Sequence, residues 1–336
     1  MIDRNDIVDR AHARRAFLKY CGGAATVSSL AMLAGCGSDK YGAEVVQGTP
    51  APAPTAAPSY TATDTDYLNF LLQIQYLTAG FFWRSAFGGS IASSLLTGAG
   101  SAGAITGGAQ VQFTDDLFMQ GLREVALAEV ARLGQLRSLI GASVTAQPVI
   151  SIAGGSGSPF DAIASRDAFP SGTPFDPYAS LENYLLGASA LSYLCTSAAR
   201  GIVFRLTTAS NRDEILGIIG GKAYADTFFR LALWRAGLSK SALYDTENKM
   251  VLARNKLNGG DGTYLLANYE CGVGSAASPT IVVLDNVPNN ANYGALLART
   301  PDLVLNIAYA SKTAVTSGGF FPGGVNGTIK YSNAVS

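Results

Sequence analysis

The sequence predicts an all-α fold: a four-helix bundle with a short fifth helix and an irregular, glycine-rich C-terminal extension. Three observations lead there. Four long stretches carry apolar residues at helical period. The connections between them run long, long, short, which suits a bundle with a crossover rather than simple hairpins. After Asn258 the helical period gives way to glycine-rich sequence.

The first helix opens at Thr63 and Asp64, which can cap it, and runs to about Phe87. Leu68, Leu71, Leu72, Ala79 and Phe82 form its apolar face. The second opens at Thr114, with Asp115 and Asp116 in a first turn whose unpaired N–H groups favour carboxylates, and ends at Gly141. A third spans roughly Pro177 to Leu206, and a fourth begins near Asn211 and ends at Gly237. A shorter amphipathic helix follows from Lys240 to Leu257. Residues 88–112 read as a Gly/Ser/Ala loop and 142–176 as a crossover with a short helix near Phe160 to Ser165. In the extension, Thr280 to Leu284 reads as a strand, Asp302 to Tyr309 as a helix or strand, and Gly318 to Gly324 as an aromatic turn. The extension, 258–336, is expected to pack on the bundle, 62–257.

Composition narrows the function. The 336 residues hold 24 Lys+Arg against 24 Asp+Glu, with only 14% charged residues and 38 Gly. Basic residues are scattered, without the aromatic interleaving of a nucleic-acid surface, so no nucleic-acid partner is expected. The single histidine, His12, lies in the first segment.

That segment, residues 1–36, reads as an export signal. Ala13-Arg14-Arg15-Ala16-Phe17-Leu18-Lys19 looks like a twin-arginine motif, followed by a short apolar stretch and Leu33-Ala34-Gly35-Cys36, which resembles a lipobox. Lipid on Cys36 would anchor the chain to a membrane. Gly37, not Asp, follows the cysteine, so the expected location is the periplasmic face of the outer membrane. Residues 37–61, rich in Pro, Ala and Thr, read as an extended tether. Removal of the signal leaves a slightly acidic chain with no histidine. It also leaves two cysteines, Cys195 and Cys271, for which an oxidising compartment permits a disulfide.

Charges fall where a core belongs. Stepping along the second helix by fours and threes gives Phe118, Leu122, Val125, Glu129, Arg132, Leu136 and Leu139. The fourth gives Ile215, Ile219, Lys222, Asp226, Phe229 and Leu233. Each stripe is apolar at both ends and charged in the middle, which is costly unless the charges satisfy one another. Gln75 shares the apolar face of the first helix. Glu129, Arg132, Lys222 and Asp226 sum to zero and are expected to form a buried ion-pair cluster.

Helix lengths and order, with the segment Ala298 to Tyr309 and then Gly319-Phe-Phe-Pro-Gly-Gly-Val-Asn-Gly-Thr-Ile329, make residues 62–330 resemble the ferritin-like domain of exported bacterial proteins related to desiccation-associated proteins. That resemblance implies a bundle in which helices one and three each give a carboxylate, and two and four each a Glu-x-x-His pair, to two iron or manganese ions. Carried onto this chain, the ligand positions fall on Gln75, Glu129, Arg132, Leu186, Lys222 and Ala225. One carboxylate remains and two positions carry cations, so no metal and no other cofactor is expected.

Other motifs are weaker. Gly98-Ala-Gly100-Ser-Ala-Gly103 matches a dinucleotide fingerprint but lacks the flanking strand and helix. Asp261 in Gly259-Gly260-Asp261 stands alone and cannot build a calcium loop. Trp83-Arg84 and Trp234-Arg235 sit at helix ends and suit packing more than a ligand platform. The leading expectation is a metal-free, non-enzymatic envelope protein with a structural, stress-protective or partner-binding role. An oxidoreductase with two iron or manganese ions held by Glu124, Glu129, Glu182, Glu214 or Asp226 is the alternative, and a carrier of an apolar ligand is a third reading.

Overall fold

Among the described residues seven helices carry the fold: α1 (Asp64–Phe87), α2 (Asp116–Ile140), α3 (Pro159–Ile163), α4 (Leu181–Ile202), α5 (Ala209–Ser239), α6 (Ala242–Leu257) and α7 (Pro301–Ala308). In this computed structural model the described residues are 61–335, apart from 165–167, 170–171, 260–269, 281–285, 288–290 and 293–295. All belong to the unit Ala53–Ser336. The signal with Arg14, Arg15 and Cys36, the tether to Tyr60, Asp261, and most of the expected strand at 280–284 lie outside them.

The helices start where local chemistry allows. Thr63 and Asp66 cap α1 reciprocally, and left-handed Gly88 ends it. Asp115, rather than Thr114, caps α2 by accepting the Phe118 N–H at 2.9 Å. Ser180 caps α4 through Asn183. The entry to α5 is tied to α1: Asp64 accepts from the N–H groups of Thr207 and Thr208, which precede the helix, and from Asn211 Nδ2 in its first turn. Those donors hold the Asp64 carboxyl far below its usual range, although its slight burial works against them.

Helix α1 packs along α2, α4 along α5, and α1 against α4. The predicted apolar stripe on α1 understates its burial, because every residue from Leu68 to Phe82 is buried. Its second face is covered by loops, held by polar side chains. Asn69 binds Thr145 and the Ser143 carbonyl, and Gln73 binds Thr145, the Ala146 carbonyl and the Asn326 N–H. Helix α4 is likewise buried from Tyr184 to Ala199.

The loop after α1 is ordered by pairing with the crossover. Strands β1 (Ile105–Thr106) and β2 (Ile150–Ser151) pair in parallel, and Ala99 bridges Thr145. The Gly98–Gly103 motif serves this pairing, because a Cβ at Gly98 or Gly103 would collide with the backbone of 144–149. Strands β3 (Asn286–Val287) and β4 (Ala291–Asn292) form a small antiparallel pair.

The extension wraps the bundle. Helix α7 packs on α4, where Gly201 admits the Arg299 carbonyl so closely that any side chain there would strike it. Phe320 accepts from the Ser151 N–H, donates to the Ala308 carbonyl, and meets Phe160 edge-on at 5.0 Å. Asn326 Nδ2 donates to Ser101 and Ala146 carbonyls, fastening both long loops to the tail.

A candidate site at the centre of the bundle

Glu129, halfway along α2, is fully buried. Its Oε1 accepts from Arg132 Nη1 at 2.7 Å, and its Oε2 accepts from Lys222 Nζ at 2.7 Å and Gln75 Nε2 at 2.6 Å. Gln75 Nε2 also reaches the Glu129 carbonyl at 2.8 Å, and Gln75 Oε1 lies 3.5 Å from the Cys195 thiol of α4. Each of the four long helices therefore contributes a side chain to one centre.

Local sequence makes this possible. Glu129 and Arg132 share a helix face at a three-residue spacing. Gly221 precedes Lys222, and a Cβ there would sit 2.7 Å from Arg132 Nη2. Gly221, a residue type unusual in a helix interior, leaves room for the guanidinium, whereas its neighbour Gly220 faces open space.

The charges are set by their neighbours. Burial opposes ionisation of Glu129, but Lys222 and then Arg132 outweigh it and hold the carboxyl below its usual range. Burial likewise disfavours the Lys222 ammonium, yet the Glu129 carboxylate 2.7 Å away brings its pKa above the ordinary value. The Cys195 thiol is pushed up by burial.

Toward the N-terminal end of α2 the core is filled by rings: Phe82 stacks on Phe229 at 4.9 Å, and Phe118 meets Tyr184 and Phe229 edge-on. Larger spaces lie outside it. One groove of about 880 Å³ runs between α2 and α5, and one of about 480 Å³ lies between α1 and the loop through Ile105.

Residues 63–235, from the cap of α1 to near the end of α5, match the family model of the ferritin-like domain. The chain belongs to the ferritin-like family. No curated protein matches its sequence.

Within this ferritin-like domain the expected positions divide. Gln75, Glu129, Arg132 and Lys222 converge. Leu186 does not: it is a buried apolar residue nine positions before Cys195, about 13 Å along a helix at 1.5 Å per residue. Cys195 is the side chain α4 supplies. Ala225 is buried and apolar. Asp226 departs from the expected ion-pair cluster. It makes no ion pair among the described residues, accepts the Ser192 hydroxyl at 2.5 Å through Oδ1, and finds no partner for Oδ2. Burial, opposed only by neutral hydroxyls and the more distant Lys222, pushes it up to about 6. Cys195 and Cys271 are not joined in a disulfide.

The carboxylates proposed for an alternative metal set are dispersed. Glu124 is exposed, Glu182 pairs with Lys240, and Glu214 accepts from Gln135. Among the described residues no three His, Cys, Asp or Glu side chains group as metal ligands.

A second buried charge cluster escaped the sequence reading. Glu270 accepts from Arg254 (Nη2 2.6 Å, Nε 3.2 Å) and from Arg299 Nη2 at 2.9 Å. Arg299 also binds Ser197 Oγ at 2.8 Å and lies over the Tyr193 ring at 5.6 Å. Glu247 stands 3.5 Å from Arg254, and burial pushes it up to about 7. The only linear signal is Glu247 seven residues before Arg254 on one face of α6; Glu270 and Arg299 come from the irregular extension.

Two outcomes follow from these environments. Lys222→Met leaves Glu129 short of a counter-charge and is expected to cost about 3–5 kcal/mol in chemical denaturation; a loss within error would mean that Lys222 does not support the buried carboxylate. Asp226 titrates near 6 in the fold against an ordinary 3.8. A raised pKa gives stability that is full below the unfolded value and lost as pH rises through the folded one, on the order of 2–3 kcal/mol for this shift. Asp226→Asn should remove that loss, so its gain over the parent grows between pH 4 and pH 7; urea midpoints at both pH values check it.

Proposed function

We propose that this is a ferritin-like domain whose central site holds an ion-pair cluster in place of two metal ions, giving a metal-free envelope protein with a structural, stress-protective or partner-binding role. The observation that carries this reading is the occupancy of Glu129. Both of its oxygens accept from neighbouring side chains, two of them cationic, and the space a ligand-bound ion would need is filled by the Lys222 ammonium. The other contributors are an amide and a neutral thiol. Divalent iron or manganese favours carboxylate and imidazole donors, and the residues here supply one carboxylate already neutralised. The donor set does not fit a two-metal centre. A buried ion pair of this kind serves to fix helix register more than to add net stability.

Elemental analysis of the purified chain tests the reading. We expect substoichiometric iron and manganese, unchanged after incubation with either ion. About two equivalents per chain would instead support the oxidoreductase reading.

The envelope assignment rests on Arg14-Arg15 and on Leu33-Ala34-Gly35-Cys36. Among the described residues no helix is long and apolar enough to cross a membrane; the proposed attachment is lipid on Cys36, read from the lipobox-like quartet. Arg14→Lys with Arg15→Lys should keep the chain in the cytoplasmic fraction, and Cys36→Ser should abolish labelling by a palmitate analogue. Unaltered export of the first variant, or labelling of the second, would refute the corresponding half of the assignment.

A further inference from the structure

We propose that the outward face shared by α2 and α5 is the interface through which two copies of this chain pair about a twofold axis. The two helices meet at the Phe118–Phe228 stack, whose centroids are 5.5 Å apart with planes 7° from parallel, and the 880 Å³ groove opens over it. Gly121 lets the Phe228 ring lie against α2, since a Cβ there would be 2.5 Å from the ring.

The walls of the groove are apolar and exposed. Leu117 and Leu127 of α2 are 76% and 56% exposed, and Tyr224 and Leu231 of α5 are 65% and 47% exposed. With Phe87 they are five of the nine exposed large apolar side chains among the described residues, gathered in one place. Singly such residues need no explanation; clustered, they mark a contact surface. Along α5, Tyr224, Leu231 and Leu238 recur every seven residues, the period of a seam that packs against another helix, over about 21 Å.

Charge points to a second copy as the occupant. The Asp115–Arg235 ion pair closes one end of the groove. Arg123 and Glu124, adjacent on α2 and both lining the groove, make no ion pair among the described residues. At a twofold interface, residue i meets j while j meets i. Antiparallel α2 helices crossing at this point would set Arg123 of each copy against Glu124 of the other. A partner of one charge sign would leave one of the two unmatched, and an apolar small molecule would leave both.

Sedimentation velocity and light scattering on the full chain test this. At roughly 100 µM, well above a micromolar Kd, we expect twice the 34.8 kDa chain mass. Leu127→Glu with Leu231→Glu should give a monomer with an unchanged helical circular-dichroism spectrum, because both positions are exposed. Glu124→Arg alone should weaken association about tenfold by opposing like charges, and adding Arg123→Glu should restore it. A monomeric parent chain, a dimer indifferent to the leucine changes, or a charge swap that fails to restore pairing would each overturn the proposal. The metal content of the bundle centre has no bearing on any of these outcomes.

Discussion

A carboxylate with no access to water must find every hydrogen bond inside the protein, and Glu129 is that carboxylate here. It draws on Gln75 of α1, Arg132 of its own helix and Lys222 of α5, while Cys195 of α4 reaches Gln75 from behind. Sliding α2 or α5 by a turn would separate Glu129 from Lys222 and leave buried charge short of a partner, a larger loss than displaced apolar contacts would cause. The mid-helix glycine at 221 follows from the same constraint, since the Arg132 guanidinium occupies the volume a side chain would take.

The second cluster applies the same chemistry at the seam between bundle and extension. Glu270 is gripped by arginines from α6 and from the segment before α7, and Arg299 continues to Ser197 and Tyr193 on α4. The two clusters sort their acids alike. Glu129 and Glu270 are buried, yet each faces two cations and stays ionised. Asp226 and Glu247 are buried as deeply, and burial outweighs the hydroxyls and more distant Lys222 beside Asp226 and the guanidinium groups of Arg254, 3.5 Å away, and Arg230 near Glu247, so both pKa values rise. Partners, rather than depth, decide the charge.

The low charge content and abundant glycine of the chain find their use in the loops. Asn69, Gln73 and Asn326 replace helix neighbours on the outer face of α1 with amide bonds to loop backbone. Gly98 and Gly103 let the two long loops approach within strand-pairing distance. Residues 88–112 and 142–158 thus act as a covering layer on the bundle, and the α1 stripe read from sequence becomes a helix buried on every side.

The helices were legible in the sequence because their signals are local: caps at Thr63 and Asp115, the 3.6-residue period, and glycines at 88 and 141. The charges at mid-helix stood out in the sequence because they interrupt an apolar stripe; in the fold Glu129 and Lys222 are buried, while Arg132 pairs with Glu129 from a partly exposed position. Partner choice was not legible. Asp226 lies only one turn from Lys222 yet bonds to Ser192, Cys195 rather than Leu186 completes the centre from α4, and Glu270 and Arg299 come from a stretch with no period at all. A stripe on one helix specifies that a side chain turns inward, but which groups stand opposite depends on the rotation and offset of a neighbouring helix. Those are set by packing over the whole bundle, so only the tertiary structure decided them.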